Sequence, residues 1–224
     1  YMVTVSDGTN TSAAETITIN LTDVNDNAPV FTSATTATPN ENQTAVITVT
    51  SSDADTVGSA VSYSLSGGAD QGKFAIGSSS GVLSFSSAPD FEATEDADDN
   101  NVFIVQVRAN DGTNTTDQTI TVTLQDLNDV TPVVTVATFS IAEDIANSAS
   151  VGTVAATDGD TSATTFQSWT EAGGTGAAIF EINAGTGEIT VTNNSSLDFE
   201  GTQTYNYMVT VSDGTNTSAA ETIT

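Results

Sequence analysis

The chain of 224 residues has no cysteine, no histidine and only two basic side chains, Lys73 and Arg108. The missing cysteine removes disulfides, thiolate metal ligands and thiol nucleophiles. The missing histidine removes the side chain most used as general base and metal ligand near neutral pH. Against the two basic residues stand 29 acidic ones, a formal net charge of −27. That balance excludes nucleic acid as a partner, because phosphate backbones bind cationic surfaces. It also argues against docking on anionic lipid. No run approaches the roughly 20 apolar residues of a membrane helix, so no direct membrane insertion is expected. No secretory leader opens the sequence, which starts abruptly in a strand-like run; the expectation is a window cut from a longer polypeptide. The composition does suit multivalent cations. Without thiolate or imidazole, a bound metal is hard and oxygen-ligated, Ca²⁺ or Mg²⁺.

What the chain does have is repetition. Residues 1–18 and 207–224 are identical in all 18 positions, at an offset of 206 residues. A weaker repeat of half that length lies inside. Leu21-Thr-Asp-Val-Asn-Asp is echoed by Leu124-Gln-Asp-Leu-Asn-Asp at an offset of 103. Asp53-Ala-Asp55 is echoed by Asp158-Gly-Asp160, Asp90-Phe-Glu92 by Asp198-Phe-Glu200, and the Asp-Gly-Thr-Asn tetrad at Asp111 by that at Asp213. The 206-residue unit is therefore two diverged domains. The repeat sets the expected boundaries: 1–22 as the last two strands of an upstream domain, 23–29 as a linker, 30–125 as a first domain, 126–132 as a second linker, and 133–224 as a second domain whose last strand is incomplete. Residues 1–22 alone cannot bury a core, so they are expected to fray or to pair with a neighbouring chain.

Apolar residues alternate with Thr and Ser, punctuated by Gly, Asn and Asp, which signals strands and argues against disorder. Seven strands are expected in each domain: 30–37, 45–51, 60–66, 73–76, 81–85, 102–109 and 118–125, then 133–141, 150–157, 163–169, 178–182, 187–191, 203–212 and 219–224. No stretch has helical periodicity over three turns. Seven short strands in about 100 residues give an all-β fold, tandem Greek-key sandwiches of the immunoglobulin-like kind.

The run Asp23-Val-Asn25-Asp26-Asn27-Ala-Pro29 resembles the interdomain linker of cadherins. Four further elements resemble that family at its spacing: Pro39-Asn-Glu41, Asp53-Ala-Asp55, Asp90-Phe-Glu92 and Ala109-Asn-Asp111. The second domain repeats the set, so the resemblance spans essentially the whole chain. It implies cadherin-type sandwiches in an extracellular protein, at the cell surface or secreted, with several Ca²⁺ ions at each junction. Carried over, Glu41, Asp90, Glu92, Asp126 and Asp129 would hold two ions, with the Leu127 carbonyl and a bridging Asp160. Asn128, Asp158, Asp160 and Asp213 would hold a third. The preceding junction has Asp23, Asn25, Asp26 and Asn27 of its linker and Asp53, Asp55 and Asp111 above it. Its lower carboxylates would correspond to Glu143, Asp198 and Glu200. One departure matters: Asn27 is matched by Val130, which has no side-chain oxygen, so the third ion beside Val130 is expected to be weak or absent. Independently of the family, such crowded carboxylates repel unless cations fill them.

The bland readings are these. The Asp-Gly tetrads are hairpin turns. The acidic run 92–100 is an exposed, self-repelling loop rather than a private metal site. Trp169 is a core residue rather than a sugar platform, and Lys73 and Arg108 snorkel at strand edges. Asn-x-Ser/Thr triplets arise by chance in such a composition. Three functions compete: a calcium-stiffened stalk, adhesin or surface-fibre subunit of the bacterial type, whose partners are identical repeats or identical chains; a module recognising polysaccharide or its own kind; and an enzyme with paired carboxylates. The first is favoured. The third is set aside, because the carboxylates at family spacing are assigned to calcium.

Overall fold

The computed structural model describes residues 1–161, 165–166 and 168–224. It is built of strands, with two short 3₁₀ turns, Gln71–Lys73 and Asn194–Ser196, and no α-helix among the described residues. The chain packs as two units. Unit 1 comprises Tyr1–Ala37, Ala45–Ser86 and Phe103–Val122; unit 2 comprises Thr38–Thr44, Ser87–Val102 and Thr123–Thr224.

In unit 1, one sheet runs in the order Thr36–Ala37, Thr115–Thr123, Val102–Asn110, Ser62–Gly67, and a second in the order Ala45–Thr48, Val82–Phe85, Phe74–Ile76. The strand expected over 30–37 is split. Val30–Phe31 pairs antiparallel with Ser51–Ser52, while Thr36–Ala37 pairs parallel with Thr121 and Val122. One segment thus serves two sheets, a crossing characteristic of a sandwich edge. Phe103, Val105, Val107 and Ala109 point inward from one strand, with Gln106 and Arg108 on the opposite face. Phe74 stacks on Phe85 at 4.8 Å, and Phe103 meets Phe85 edge-on at 5.1 Å. Burying side chains of this size contributes about 1.5–3 kcal/mol each.

Arg108 does not snorkel. Its Nε and Nη2 donate to Asp117 Oδ1 and Oδ2 of the neighbouring strand, each at 2.8 Å. The pair sits on the outer face, so it contributes little to stability.

Unit 2 carries a three-stranded sheet of Ser150–Thr153, Glu188–Val191 and Phe180–Ile182, and another of Thr170–Gly173, Tyr207–Thr210 and Glu221–Ile223. Val133–Val134 pairs with Ala156–Thr157. The strand expected over 163–169 falls partly outside the described residues; the strand observed nearby is Thr170–Gly173. Trp169 is a core residue, 5% exposed among Val154, Ile189, Val191 and Tyr207.

Residues 1–22 differ from expectation. They do not fray throughout: Met2–Val3 pairs with Glu15–Thr16 in a hairpin, held further by the Tyr1 amino group on the Ile17 carbonyl. Every residue of it is exposed. The same sequence at 207–224 lies in a core, so Tyr1 is 91% exposed and Tyr207 only 3%.

Two measurements check this packing. Gly187 has φ +71°, and an added Cβ would lie 2.8 Å from the Val154 carbonyl oxygen and 2.9 Å from the Trp169 ring. Gly214 has φ +102° with nothing near. Left-handed backbone costs an ordinary residue about 1–2 kcal/mol. Gly214→Ala should therefore lose about that much in urea denaturation, and Gly187→Ala clearly more. Separately, the Arg108 fork holds the Asp117 carboxyl below its ordinary value. That contribution is present above the ordinary carboxylate pKa and is lost as pH falls through the depressed one. Arg108→Ala should raise the Asp117 midpoint towards the ordinary aspartate range in a carboxyl NMR titration, with little change in stability at neutral pH.

Candidate metal centres

The carboxylates gather at loop ends for local reasons. Asp158 Oδ1 accepts the Asp160 N–H at 3.2 Å, closing a tight turn that aims both side chains the same way. Asp213 Oδ1 accepts the Thr215 and Asn216 N–H groups at 2.6 and 2.7 Å, which fixes the Asp-Gly-Thr-Asn turn. Glu41 is pinned from two sides: Oε1 accepts the Leu127 N–H at 2.8 Å and Oε2 the Phe91 N–H at 2.7 Å. The linker is held in turn. Asp126 Oδ2 accepts the Thr161 N–H at 2.6 Å and also its hydroxyl. Val130 N–H donates to Asp160, and Asn216 Nδ2 donates to the Val130 carbonyl at 3.1 Å.

The result, all within unit 2, is three overlapping groups. One oxygen from each of Glu41, Glu92 and Asp126 lies within 4.8 Å of the others; so do oxygens of Glu92, Asp129 and Asp160, and of Asp158, Asp160 and Asp213. Glu92 and Asp160 are each shared by two groups. Asp90 stands behind them, its Oδ1 accepting the Glu92 N–H at 3.0 Å. Asn128 donates weakly to the Asp213 carbonyl at 3.5 Å.

Electrostatics penalise this arrangement. Burial, reinforced by the charges of Glu41 and Asp126 and by Asp90, pushes the Glu92 carboxyl up to about 7. Asp160 is also raised, first by burial and then by the charges of Asp158 and Asp126, despite the Val130 N–H. Asp213 goes the other way: burial raises it, but the Asn216 and Thr215 N–H groups outweigh that.

The donor set fits a hard divalent cation. Glu92 Oε1, Asn128 Oδ1, Asp158 Oδ2 and Asp213 Oδ2 are buried acceptors with no hydrogen-bond donor among the described residues. Leaving such a group unmet costs roughly 1–3 kcal/mol.

The other expected residues fall into two half-sets. In unit 1, Asp23 Oδ2 accepts the Thr56 N–H and hydroxyl at 2.6 Å, repeating the Asp126–Thr161 arrangement. Asn27 N–H and Nδ2 donate to Asp55 at 2.8 and 2.6 Å, and Nδ2 reaches Asp26 at 3.1 Å. With its amide turned so that nitrogen faces the carboxylates, Asn25 donates to Asp111 at 3.0 Å and to Asp55 at 3.2 Å. Asp53 Oδ2 is a buried acceptor without a donor among the described residues. Among the described residues, Asp53, Asp55 and Asp111 do not form a three-carboxylate group. In unit 2, Glu143, Asp198 and Glu200 do form one, all three exposed.

Val130 keeps the backbone role of Asn27, its N–H on the facing aspartate, and loses the side-chain one. Sequence reasoning missed Thr56 and Thr161, each directly after its Asp-x-Asp, and Asn42, whose amide donates to Asp129. A hydroxyl at a matched position in both repeats was the available signal. The run 92–100 holds itself: buried Asp96 accepts the Asn100 and Asn101 N–H groups at 3.0 and 2.9 Å.

Asp160 offers the sharpest test. Losing even an outer partner of a metal ligand costs about 10–100-fold in affinity. Asp160→Asn should cost at least that in calcium affinity by calorimetry. The same variant in chelator should melt no lower than the parent, because it removes one charge from a mutually repelling set.

The cadherin domain profile matches residues 33–125 and 137–224. Protocadherin Fat 4 of Mus musculus is 34% identical over 207 residues, 88% of this chain and 4% of that protein. Protocadherin-16 of Mus musculus is 32% identical over 225 residues, 95% of this chain and 7% of that protein. The chain thus spans only a small fraction of the curated relatives it matches. The solved structure of the protocadherin gammaB7 EC3-6 cis-dimer superposes with a TM-score of 0.75 at 26% identity, covering 100% of this chain and 57% of that one. The chain belongs to the cadherin domain family.

Proposed function

We propose that the chain is an extracellular repeat segment, stiffened by calcium at its domain junctions, that serves as a stalk, adhesin or surface-fibre subunit. Four buried acceptor oxygens without a donor, set among three carboxylate groups that share Glu92 and Asp160, carry the proposal. In this reading residues 30–125 and 133–224 are the two domains, 23–29 and 126–132 are calcium linkers, and residues 1–22 belong to a preceding repeat. Glu41, Asp90, Glu92, Asp126, Asn128, Asp129, Asp158, Asp160, Asp213 and the Leu127 carbonyl would hold several ions. Asp23, Asn25, Asp26, Asn27, Asp53, Asp55 and Asp111 would serve the preceding junction, and Glu143, Asp198 and Glu200 the following one. Calcium bound there would supply the positive charge that this oxygen-rich ligand set lacks. The chain's own residues do the positioning. Thr161 and Asn42 aim the linker aspartates, and the Leu127 and Phe91 N–H groups aim Glu41.

The 18 residues repeated identically at an offset of 206, and the near absence of Lys and Arg, support a long surface adhesin or fibre of the bacterial type. Repetition gives length, and uniform negative charge gives solubility. The acidic clusters act as ligand sets, and no catalytic role is assigned to them. Nothing favours a polysaccharide platform: Trp169 is in the core, and the exposed large rings among the described residues are Tyr1 and Phe199 alone.

Thermal melts in calcium and in chelator test the proposal. Extracellular calcium modules bind at about 10⁻⁴ to 10⁻³ M. A ligand at a hundredfold its dissociation constant contributes about 2.7 kcal/mol per independent site. Several sites should move the midpoint by many degrees. An unchanged midpoint at millimolar calcium would mean that the carboxylates are only a solvated surface.

A further inference from the structure

Four aspartates are followed directly by glycine: Asp7, Asp111, Asp158 and Asp213. Such a pair is open to covalent rearrangement through its own side chain. Glycine has no Cβ to shield its nitrogen, so that nitrogen can reach the preceding Cγ. The peptide plane between the two residues has to turn for this, and a bonded N–H or a pinned carboxyl opposes the turn.

Three of the pairs are held at both reacting groups. Gly8 N–H donates to Ser6 Oγ at 3.2 Å, Gly112 N–H to Asn110 Oδ1 at 2.6 Å, and Gly214 N–H to Ser212 Oγ at 3.1 Å. Their carboxyls are held as well. Oδ1 of Asp7 accepts the Thr9 and Asn10 N–H groups at 2.8 and 2.7 Å, and Oδ1 of Asp111 those of Thr113 and Asn114 at 2.7 and 2.6 Å. Asp213 repeats the pattern with Thr215 and Asn216.

The fourth pair lacks these restraints. The Gly159 N–H has no acceptor among the described residues. Asp158 Oδ1 accepts a single N–H, that of Asp160, at 3.2 Å, and Oδ2 has no donor among the described residues. Gly159 is exposed and Asp158 half-buried, so water reaches the bond between them. Packing explains the glycine. The matched residue of the first domain is Ala54, but a Cβ added at Gly159 would lie 3.2 Å from Val130 Cγ1 and 3.5 Å from Glu92 Cγ. The exchange of Asn27 for Val130 thus goes with an exchange of Ala54 for Gly159, and the second exchange creates the Asp-Gly pair.

We infer that Asp158–Gly159 is the bond at which the folded chain forms isoaspartate, a covalent modification that needs only water. The Gly159 nitrogen loses its proton and bonds to Asp158 Cγ. One Cγ–O bond of the carboxylic acid breaks, and its OH leaves with that proton as water. Water then opens the resulting ring at either carbonyl. One opening restores Asp158. The other leaves the main chain running through Cβ and Cγ, with the α-carboxyl as the side group. Nothing is oxidised or reduced, and the mass is unchanged. The new linkage lengthens the backbone and shortens the side group, which withdraws a carboxylate from the group of Asp158, Asp160 and Asp213. That last consequence for calcium rests on the reading above; the rearrangement itself does not.

The test ages the whole chain in warm, neutral buffer with chelator and locates isoaspartate by electron-transfer mass spectrometry of its peptides. Asp7 and Asp213 lie in one shared sequence and are read together. Asp158 should accumulate isoaspartate severalfold faster than Asp111 or the shared peptide. In urea, where no turn is held, that difference should vanish. Gly159→Ala should cut the signal at Asp158 severalfold. Asp158→Glu, which keeps a carboxylate but would need a larger ring, should abolish it. Equal accumulation at all these aspartates in the folded chain, or none at Asp158, overturns the inference. A preference for Asp158 that persists undiminished in urea also overturns it, because the cause would then be the neighbouring sequence and not the fold. Calcium at Asp158 should slow the rearrangement severalfold. An unchanged rate in calcium would leave this inference standing and count against calcium at that group.

Discussion

Mutual repulsion among crowded carboxylates is the constraint on which this cluster depends. In the cluster with Glu92, backbone N–H groups hold Glu41, Asp126, Asp158, Asp160 and Asp213, and the Asn42 amide holds Asp129; no basic side chain is among these partners. The only basic residues are Lys73 and Arg108, and Arg108 is spent on Asp117 of the adjacent strand. The fold therefore cannot neutralise the cluster itself. Two of the turns that shape the cluster use one oxygen of a carboxylate and leave the other without a donor among the described residues. Asp158 and Asp213 show the pattern directly, with Oδ1 taken by local N–H groups and Oδ2 unmet. Structural need and ligand capacity are thus divided between the two oxygens of one side chain.

Much of the fold was legible because the alternation of Val, Ile and Phe with Thr and Ser is a direct consequence of strand geometry. The strand at Val102–Asn110 begins almost continuously apolar in sequence, yet its burial alternates: Ile104 and Gln106 are half-buried between inward Phe103, Val105 and Val107. The strand at 30–37 was read as one piece, because a sequence pattern does not say which sheet a residue pairs with. The candidate ligand carboxylates could be named because elements that resemble those of cadherins recur at matched positions in both repeats. Their supporting groups were harder to see. Thr161 and Asn42 belong to residue types abundant throughout this chain, so composition hides them. Asp96 looked like part of a repelling run, but its carboxyl caps the loop through Asn100 and Asn101.

The two junctions are built alike but not equally. Asp23 with Thr56 and Asp126 with Thr161 are the same device, as are Asn114 and Asn216 on the carbonyls of Asn27 and Val130. The exchange of Asn27 for Val130 removes one polar side chain from a set whose other members persist. Gly159, where the first domain has Ala54, lies against that valine: an added Cβ would come within 3.2 Å of it. Packing beside Val130 has replaced polarity there.

The hairpin at residues 1–18 carries a further consequence. It is fully exposed, yet its turn is the one found in the core: Asp7 accepts the Thr9 and Asn10 N–H groups at 2.8 and 2.7 Å, and the Ser12 hydroxyl accepts from Val5 as Ser218 does from Val211. The turn is therefore written in local bonds and does not wait for burial. Contacts so close in sequence form fast and early. In each domain, the last hairpin can be in place before its sandwich closes. Pairing with the nearest neighbour in sequence then precedes any encounter with an identical strand one repeat away, a kinetic safeguard against exchange between copies of the same text.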